Sequence, residues 1–356
     1  MIACDFAQLR PIGLQQAIAS AAAHLDFSSS TAQLMRVSAV HRDSIGVHDG
    51  ASERAAQILP RLQHALQQQD TTLAVGDWVA TDADAAAHGS LWITERLSPA
   101  TQIARRGNDG RRQVLASNVD TALLVMGLDG DFNPRRLERY LAIVLAAHVT
   151  PVVVLSKADV ADDVPGKLAL LRQRLPQHVP LFAIDTRHAY DVAILEPWLG
   201  AGQTLVLLGS SGAGKSSLTN TLCAADQATN GVRHGDGRGR HTTTARSLHL
   251  CADGACIIDT PGLRSWQADA DADTLAATFD DIAALAATCQ FRDCQHASEP
   301  GCQVRGAVDG DRLRNYHKLL RDARRSEETP LERIAARAKW KTILKAGMER
   351  GKDKRR

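Results

Sequence analysis

Two periodicities divide the chain. Between residues 31 and 106, short apolar runs alternate with polar positions, at Leu34–Val40, Ser44–Asp49, Ala74–Thr81 and Leu91–Leu97. Turn residues separate these runs, and the pattern predicts the strands of a small barrel or sandwich. A five-stranded oligonucleotide-binding barrel fits the size, as another small β domain also would. Gln57–Asp70 interrupts the series as a polar, partly helical insertion. From Asn118 onward the runs become nearly continuous, at Thr121–Gly127, Pro151–Ser156, Pro180–Asp185, Thr204–Gly209 and Ala255–Thr260. Such runs suit strands buried on both faces of a sheet. Between the first two, Asn133 and Pro134 have the character of an N-cap and a first helical residue. Strands alternating with helices predict a mainly parallel α/β sheet over residues 118–270.

The flanks differ from both regions. Residues 1–30 are rich in Ala and Gln and helical in character, ending in a Ser28-Ser29-Ser30 break. Beyond Trp266 an Asp/Ala-rich helical stretch leads into a cysteine cluster and then a charged helix from about Asp311. The expected division is an N-terminal extension (1–30), a β-barrel (31–117), an α/β domain (118–270), a helical metal-binding domain (271–330) and a basic tail (331–356). A chain of 356 residues is too long for one compact core, which agrees with several domains.

Charge and cysteine usage narrow the function classes. The net charge is +2, yet Arg333–Arg356 holds ten Lys/Arg against two Asp/Glu, leaving the remainder acidic. A basic tail on a near-neutral body points to a polyanionic partner, most simply nucleic acid. No run approaches the roughly 20 apolar residues of a membrane span. Asp5 sits where a secretory signal would carry basic charge, so a cytoplasmic protein with no membrane partner is expected. The odd count of seven cysteines argues against a disulfide framework.

The chemistry lies in four short motifs. Gly209-Ser210-Ser211-Gly212-Ala213-Gly214-Lys215-Ser216 matches GxxxxGK[ST], follows an apolar strand and precedes the helix-compatible Ser217–Ala225. Backbone N–H groups of such a loop wrap a β-phosphate, the lysine neutralises phosphate charge and the serine takes Mg2+. Downstream, Asp259-Thr260-Pro261-Gly262 supplies an aspartate to hold Mg2+ through water and a Gly262 N–H to sense a γ-phosphate. Between them, Arg240-His241-Thr242-Thr243-Thr244 offers the threonine that completes a Mg2+ shell. Thr243 is preferred, with Thr242 and Thr244 left open. Leu263 stands where many GTPases place a water-orienting Gln, so intrinsic hydrolysis should be slow. His241 is the nearest substitute, with RNA contact or a loop role as its alternatives.

Ser156-Lys157-Ala158-Asp159 resembles the [NT]KxD guanine reader, whose Asp accepts from guanine N1–H and N2–H2. A site built for those bonds rejects a base that lacks them. Here the reader precedes the phosphate loop by some fifty residues instead of following it. That order is a circular permutation, which keeps strand neighbours while moving the chain ends. It also makes the γ-phosphate-sensing segments run directly into the C-terminal module. There, Cys289, Cys294, His296 and Cys302 provide three thiolates and an imidazole within fourteen residues, a closed tetrahedral set suited to one structural Zn2+.

Taken together, these motifs resemble the RsgA (YjeQ) family of circularly permuted GTPases across roughly residues 30–325. Residues 74–80, 118–141, 209–220, 239–244, 259–262 and 289–304 carry the resemblance in the family's order. It implies an α/β P-loop GTPase with an N-terminal OB-like barrel and a C-terminal zinc module. It also implies GTP/GDP, Mg2+ and Zn2+ as ligands and GTP hydrolysis stimulated by the small ribosomal subunit and its rRNA. The expected switch uses Ser156, Lys157, Ala158 and Asp159 for the base, and residues 209–217, including Ser217, for the phosphates. Asp259 and Gly262 report the γ-phosphate, and His241 and Thr243 act in hydrolysis. The protein is expected to act as a monomer. Ser156 departs from the usual Asn or Thr, and Ala183-Ile184-Asp185-Thr186 replaces the family's Ser-Ala base loop. An RNA-binding assembly factor with a mainly structural nucleotide is the alternative reading, and an ATPase is a third.

Overall fold

The computed structural model describes residues 5–24, 32–41, 44–83, 90–106, 112–223, 246–251, 254–260, 267–268 and 272–327. The N-terminal extension forms helices α1 (Phe6–Leu9) and α2 (Gln16–Ala23). The strands β1 (Gln33–Val40), β2 (Ile45–His48), β3 (Glu53–Ile58), β4 (Trp78–Asp82) and β5 (Leu91–Arg96) follow, with α3 (Pro60–Gln68) between β3 and β4. They pair in the order β1-β2-β3-β5-β4, and β4 returns to β1, closing a five-stranded barrel. Only β3 and β5 run parallel, which requires the chain to cross the barrel between them. Helix α3 lies in that crossover, so the segment read as an insertion, Gln57–Asp70, is the end of β3 followed by a helix of the barrel itself. Leu9 of α1, Ile12 of the turn that follows it and Ala22 of α2 pack against Leu34, Trp78 and Leu97 of the barrel.

β6 (Gln102–Arg106) and β7 (Arg112–Ser117) form a hairpin outside the barrel, joined by the short β14 (Gln267–Ala268). The α/β domain comprises β8 (Thr121–Gly127), α4 (Pro134–Ala146), β9 (Thr150–Ser156), α5 (Val164–Arg172), β10 (Leu181–Ala183), α6 (Ala189–Val192), β11 (Thr204–Leu208), α7 (Lys215–Cys223), β12 (Ser247–Leu250) and β13 (Cys256–Asp259). Its strand order is β10-β9-β8-β11-β13-β12, parallel except for β12 at the end. β8 and β11 are buried along their whole length, which their unbroken apolar sequences require. Asn133 caps α4 by accepting from Arg136 N–H at 3.0 Å, with Pro134 in the first turn.

β12 also pairs with β1, so barrel and sheet are one continuous hydrogen-bonded surface. Arg36 of β1 is wholly buried at that joint. Its guanidinium donates to the carbonyls of Gly76 (3.3 Å), Asn118 (3.0 Å) and Ile12, and to Thr204 Oγ1 (2.9 Å). It also lies over the Trp78 ring. Spreading a buried charge over several neutral acceptors satisfies its donors without a carboxylate. Gly76, at φ +94°, sits so close to Ser117 that a Cβ would come within 2.1 Å of its carbonyl oxygen.

The C-terminal module contains α8 (Ala272–Thr278), α9 (Asp280–Ala286) and α10 (Gly310–Glu327). Its Leu275, Phe279, Ile282, Val304 and Leu319 belong to the same apolar core as Leu137, Tyr140 and Leu141 of α4. Buried charges reinforce this seam. Glu138 of α4 accepts from Arg174 Nε at 2.8 Å, Arg312 Nη1 at 2.7 Å and Asn315 Nδ2 at 2.5 Å. Arg312 also pairs with Asp281 and stacks on Phe279, its guanidinium carbon 4.6 Å from the ring centre. Among the described residues no helix is long and apolar enough to cross a membrane.

Candidate nucleotide and metal sites

The phosphate loop leaves the end of β11, the sheet's buried central strand, and turns into α7. Gly212 and Gly214 have φ of +81° and +90°, in the left-handed region that glycine enters without strain. At Gly214 a Cβ would approach Ser156 Oγ to 3.2 Å, so the loop's glycine also makes room for the base-reading segment. Lys215 folds back over the loop, donating to the carbonyls of Gly209 at 3.1 Å and Ser210 at 2.8 Å. Burial lowers its ammonium pKa to about 8, against the opposing pull of Asp259 and Asp131. Ser216 and Ser217 occupy the first turn of α7, half-buried.

The Ser156–Asp159 segment, the candidate base reader, leaves β9, two strands away in the same sheet. Ser156 Oγ donates to the Ala213 carbonyl at 2.6 Å, linking the two motifs directly. Lys157 adopts φ +61° and its ammonium donates to Asp129 at 2.7 Å. The Ala158 N–H donates to the Ile184 carbonyl at 3.3 Å, which ties this segment to the loop after β10. Asp159 is partly exposed at the rim, where it accepts from Arg187 Nη2 at 2.6 Å. Arg187 also bonds Asp185, and that bond holds the Asp185 carboxyl at about 2.

Asp259 ends β13 beside Leu207 of β11 and is fully buried. The next residue pins the strand end, Thr260 Oγ1 donating to the Leu207 carbonyl at 2.7 Å. The structure thus brings together residues 156–159, 209–217 and Asp259 at one end of the sheet. His241, Thr242, Thr243, Thr244, Gly262 and Leu263 lie outside the described residues, as does the basic tail.

Sequence reasoning missed three groups at this site. Asp131 accepts from Ser210 Oγ with both carboxylate oxygens at 2.6 Å and also pairs with Arg136. Asp129 holds Lys157, and Arg187 holds Asp159. The segment Gly127–Asp131 lies inside a stretch that carries the resemblance, but nothing in its composition assigns these partners.

The metal cluster is equally compact. The ligand atoms of Cys289, Cys294, His296 and Cys302 all lie within 4.8 Å of one another. His296 Nδ1 stands 3.7 Å from Cys289 Sγ and 3.5 Å from Cys302 Sγ. Tetrahedral zinc, with bonds of about 2.3 Å to sulfur and 2.0–2.1 Å to nitrogen, places such edges at about 3.6 Å. The backbone N–H groups of Gln303 and Arg305 donate to Cys289 and Cys302 Sγ, each at 3.4 Å, as suits thiolate charge. The donor set fits zinc, and with four protein ligands it leaves no open position for catalysis.

A phosphate loop on the central strand, bonded to a Ser-Lys-Ala-Asp segment that precedes it in the chain, fits a circularly permuted P-loop GTPase with an N-terminal barrel. The family described as RsgA GTPase matches residues 97–269. The small ribosomal subunit biogenesis GTPase RsgA of Xanthomonas oryzae pv. oryzae strain MAFF 311018 is 43% identical over 310 residues, covering 84% of this chain and 83% of that one. The same-named protein of Xanthomonas euvesicatoria pv. vesicatoria strain 85-10 is 44% identical over 288 residues, covering 79% and 77%. The chain belongs to the RsgA GTPase family and is a GTP hydrolase. Its fold is shared with YjeQ from Thermotoga maritima, at a TM-score of 0.58 and 22% identity over 82% of this chain and 98% of that one. It is shared too with YloQ, a circularly permuted GTPase, at 0.55 and 21% identity over 86% and 99%.

Proposed function

We propose that this GTPase acts in late maturation of the small ribosomal subunit, hydrolysing GTP to GDP and phosphate as a docking and release switch. The observation that carries this reading is the 43% identity to proteins named for that process, spread over 84% of the chain. Asp159 selects guanine, and residues 209–217 hold the phosphates. The pairing of Asp159 with Arg187 means that Arg187 makes way for, or shares the carboxylate with, the incoming base. Lys215 swings its ammonium from the loop carbonyls to the β- and γ-phosphates. Mg2+ would neutralise phosphate charge, with Ser216 and Thr243 as its side-chain ligands and Asp259 holding it through water. Gly262 senses the γ-phosphate, and His241 orients the attacking water where Leu263 cannot.

Zn2+ on Cys289, Cys294, His296 and Cys302 is structural and shapes the module that follows the switch. The barrel, that module and the basic tail dock on rRNA, and the protein works as a cytoplasmic monomer. The domain division at residues 30, 117, 270 and 330 belongs to this proposal.

The test is GTP hydrolysis with and without purified small ribosomal subunits, with Asp159→Asn as the base-recognition control. Strong stimulation by the subunit, redirected toward xanthine nucleotide in the variant, is expected. Equal turnover with and without subunits overturns the docking switch and favours a mainly structural nucleotide.

A further inference from the structure

Seven cysteines are present, and the metal cluster uses three. Of the others, Cys256 is fully buried on β13, where its sulfur meets Arg36 at 3.2 Å and Thr204 at 3.4 Å. Cys223 and Cys251 have no part in the nucleotide or metal sites, yet their sulfurs lie 2.8 Å apart. Cys223 ends α7, the helix that begins with Lys215 and Ser216. Cys251 directly follows β12 and is held by backbone bonds, its N–H donating to the Ala255 carbonyl at 2.9 Å and its carbonyl accepting from Gly254 at 3.1 Å. Two secondary-structure ends, each fixed by its own hydrogen bonds, thus present sulfur to sulfur. A disulfide bond of about 2.05 Å requires them to close by less than ~1 Å. The pair is also asymmetric: Cys223 is partly exposed, while Cys251 is buried.

We propose that Cys223 and Cys251 form a reversible disulfide, a modification site that couples the protein's GTPase activity to thiol redox state. The oxidant is a low-molecular-weight disulfide. The Cys223 thiolate attacks one of its sulfurs, forming a mixed disulfide and expelling one small thiolate. The Cys251 thiolate then attacks the Cys223 sulfur, forming the protein disulfide and expelling the second small thiolate. Two protein thiols are oxidised, one small disulfide is reduced to two thiols, and the two thiol protons end on the leaving thiolates. A reductant reverses both steps.

The location gives the bond its consequence. In sequence, Cys223 and Cys251 bracket the stretch that contains His241 and Thr242–Thr244. The bond ties the phosphate-loop helix to the strand that continues from those threonines. It leaves Asp159 and the phosphate loop itself untouched. Oxidation therefore slows hydrolysis more than it weakens GDP binding, because the bracketed threonine and histidine act around the γ-phosphate, which GDP lacks.

The experiment titrates the full-length, zinc-loaded protein with oxidised glutathione and maps its peptides by mass spectrometry without reduction. Zinc release is followed in parallel with a chromogenic chelator. The expected result is a cross-linked peptide pair containing Cys223 and Cys251, formed before zinc is lost and removed by dithiothreitol. Cys251→Ser should trap a glutathione adduct on Cys223, and Cys223→Ser should form neither product. GTP turnover in the oxidised wild type should fall several-fold and recover on reduction, while Cys223→Ser stays insensitive. Oxidation of the zinc thiols with Cys223 and Cys251 still reduced would overturn the site. An oxidised, cross-linked protein with unchanged turnover would overturn its regulatory role. The peptide map does not depend on the GTPase reading, so the two can fail separately.

Discussion

Ser156 Oγ donates a 2.6 Å hydrogen bond to the carbonyl of Ala213, joining the base-reading segment to the phosphate loop across two strands of the sheet. The bond is wholly buried, and 57 residues separate its partners in the chain. The short hydroxyl reaches the loop because Gly214 has no side chain to intervene. Ser156→Ala removes the donor and leaves the Ala213 carbonyl with one partner fewer. A buried hydrogen bond contributes ~1 kcal/mol net, so GDP affinity should fall roughly fivefold. Ser156→Thr should restore most of it. Titration of a fluorescent guanine nucleotide measures both, and an unchanged affinity in Ser156→Ala would show that the two motifs are aligned by the sheet alone.

Residues 156–159, residues 209–217 and the Cys289–Cys302 cluster were legible as candidate sites because each is a short stretch of chemically distinctive residue types. β8, β9, β11 and β13 were legible because strands buried on both faces must be apolar throughout. β3 was not: Glu53–Ile58 is mostly exposed and its one β-branched residue is Ile58 at its end, so only its pairing with β2 and β5 defines it. The helix after it looked like an insertion for the same reason. Arg187, Asp131 and Glu138 also escaped the sequence reading. Their roles come from partners brought near by the fold, as when Glu138 meets Arg312 across 174 residues.

That Glu138 cluster predicts how the C-terminal module is held. The carboxylate is 1% exposed and satisfies Arg174, Arg312 and Asn315 together. Glu138→Ala leaves two arginines facing each other in the seam between α4 and α10. Removing one partner from such a buried set costs roughly 3–5 kcal/mol. Chemical denaturation should show a loss of that size, and limited proteolysis should cut between residues 272 and 327 first. Wild-type resistance in the variant would mean that the apolar core alone holds the module.

Zinc removal should act locally. The loop from Cys289 to Cys302 is mostly exposed and has little core of its own, so its shape rests on the four ligands. Wild-type protein should carry one zinc per chain by native mass spectrometry, and Cys302→Ser should lose it. Hydrogen exchange should then accelerate in residues 289–308 while β8 and β11 keep their protection. Retained zinc in Cys302→Ser would remove that cysteine from the ligand set.

Lys215 makes both stability and nucleotide binding depend on pH in a defined direction. Burial disfavours its ammonium and pushes its pKa down to about 8 from the ordinary 10.5. Between those values the unfolded chain binds more protons than the folded one, so this lysine's contribution to stability rises with pH across that window. Below about 8 both states are protonated, and the full cost of burying the charge is present. Phosphates reverse the preference, since they hold the ammonium form. Binding GDP above that pKa must therefore take up a proton, and affinity should fall as pH rises, approaching about tenfold per unit. Calorimetry in buffers of different ionisation enthalpy reads the proton uptake directly. Lys215→Met should abolish the uptake and flatten the profile; the same slope in that variant would assign the proton to another group.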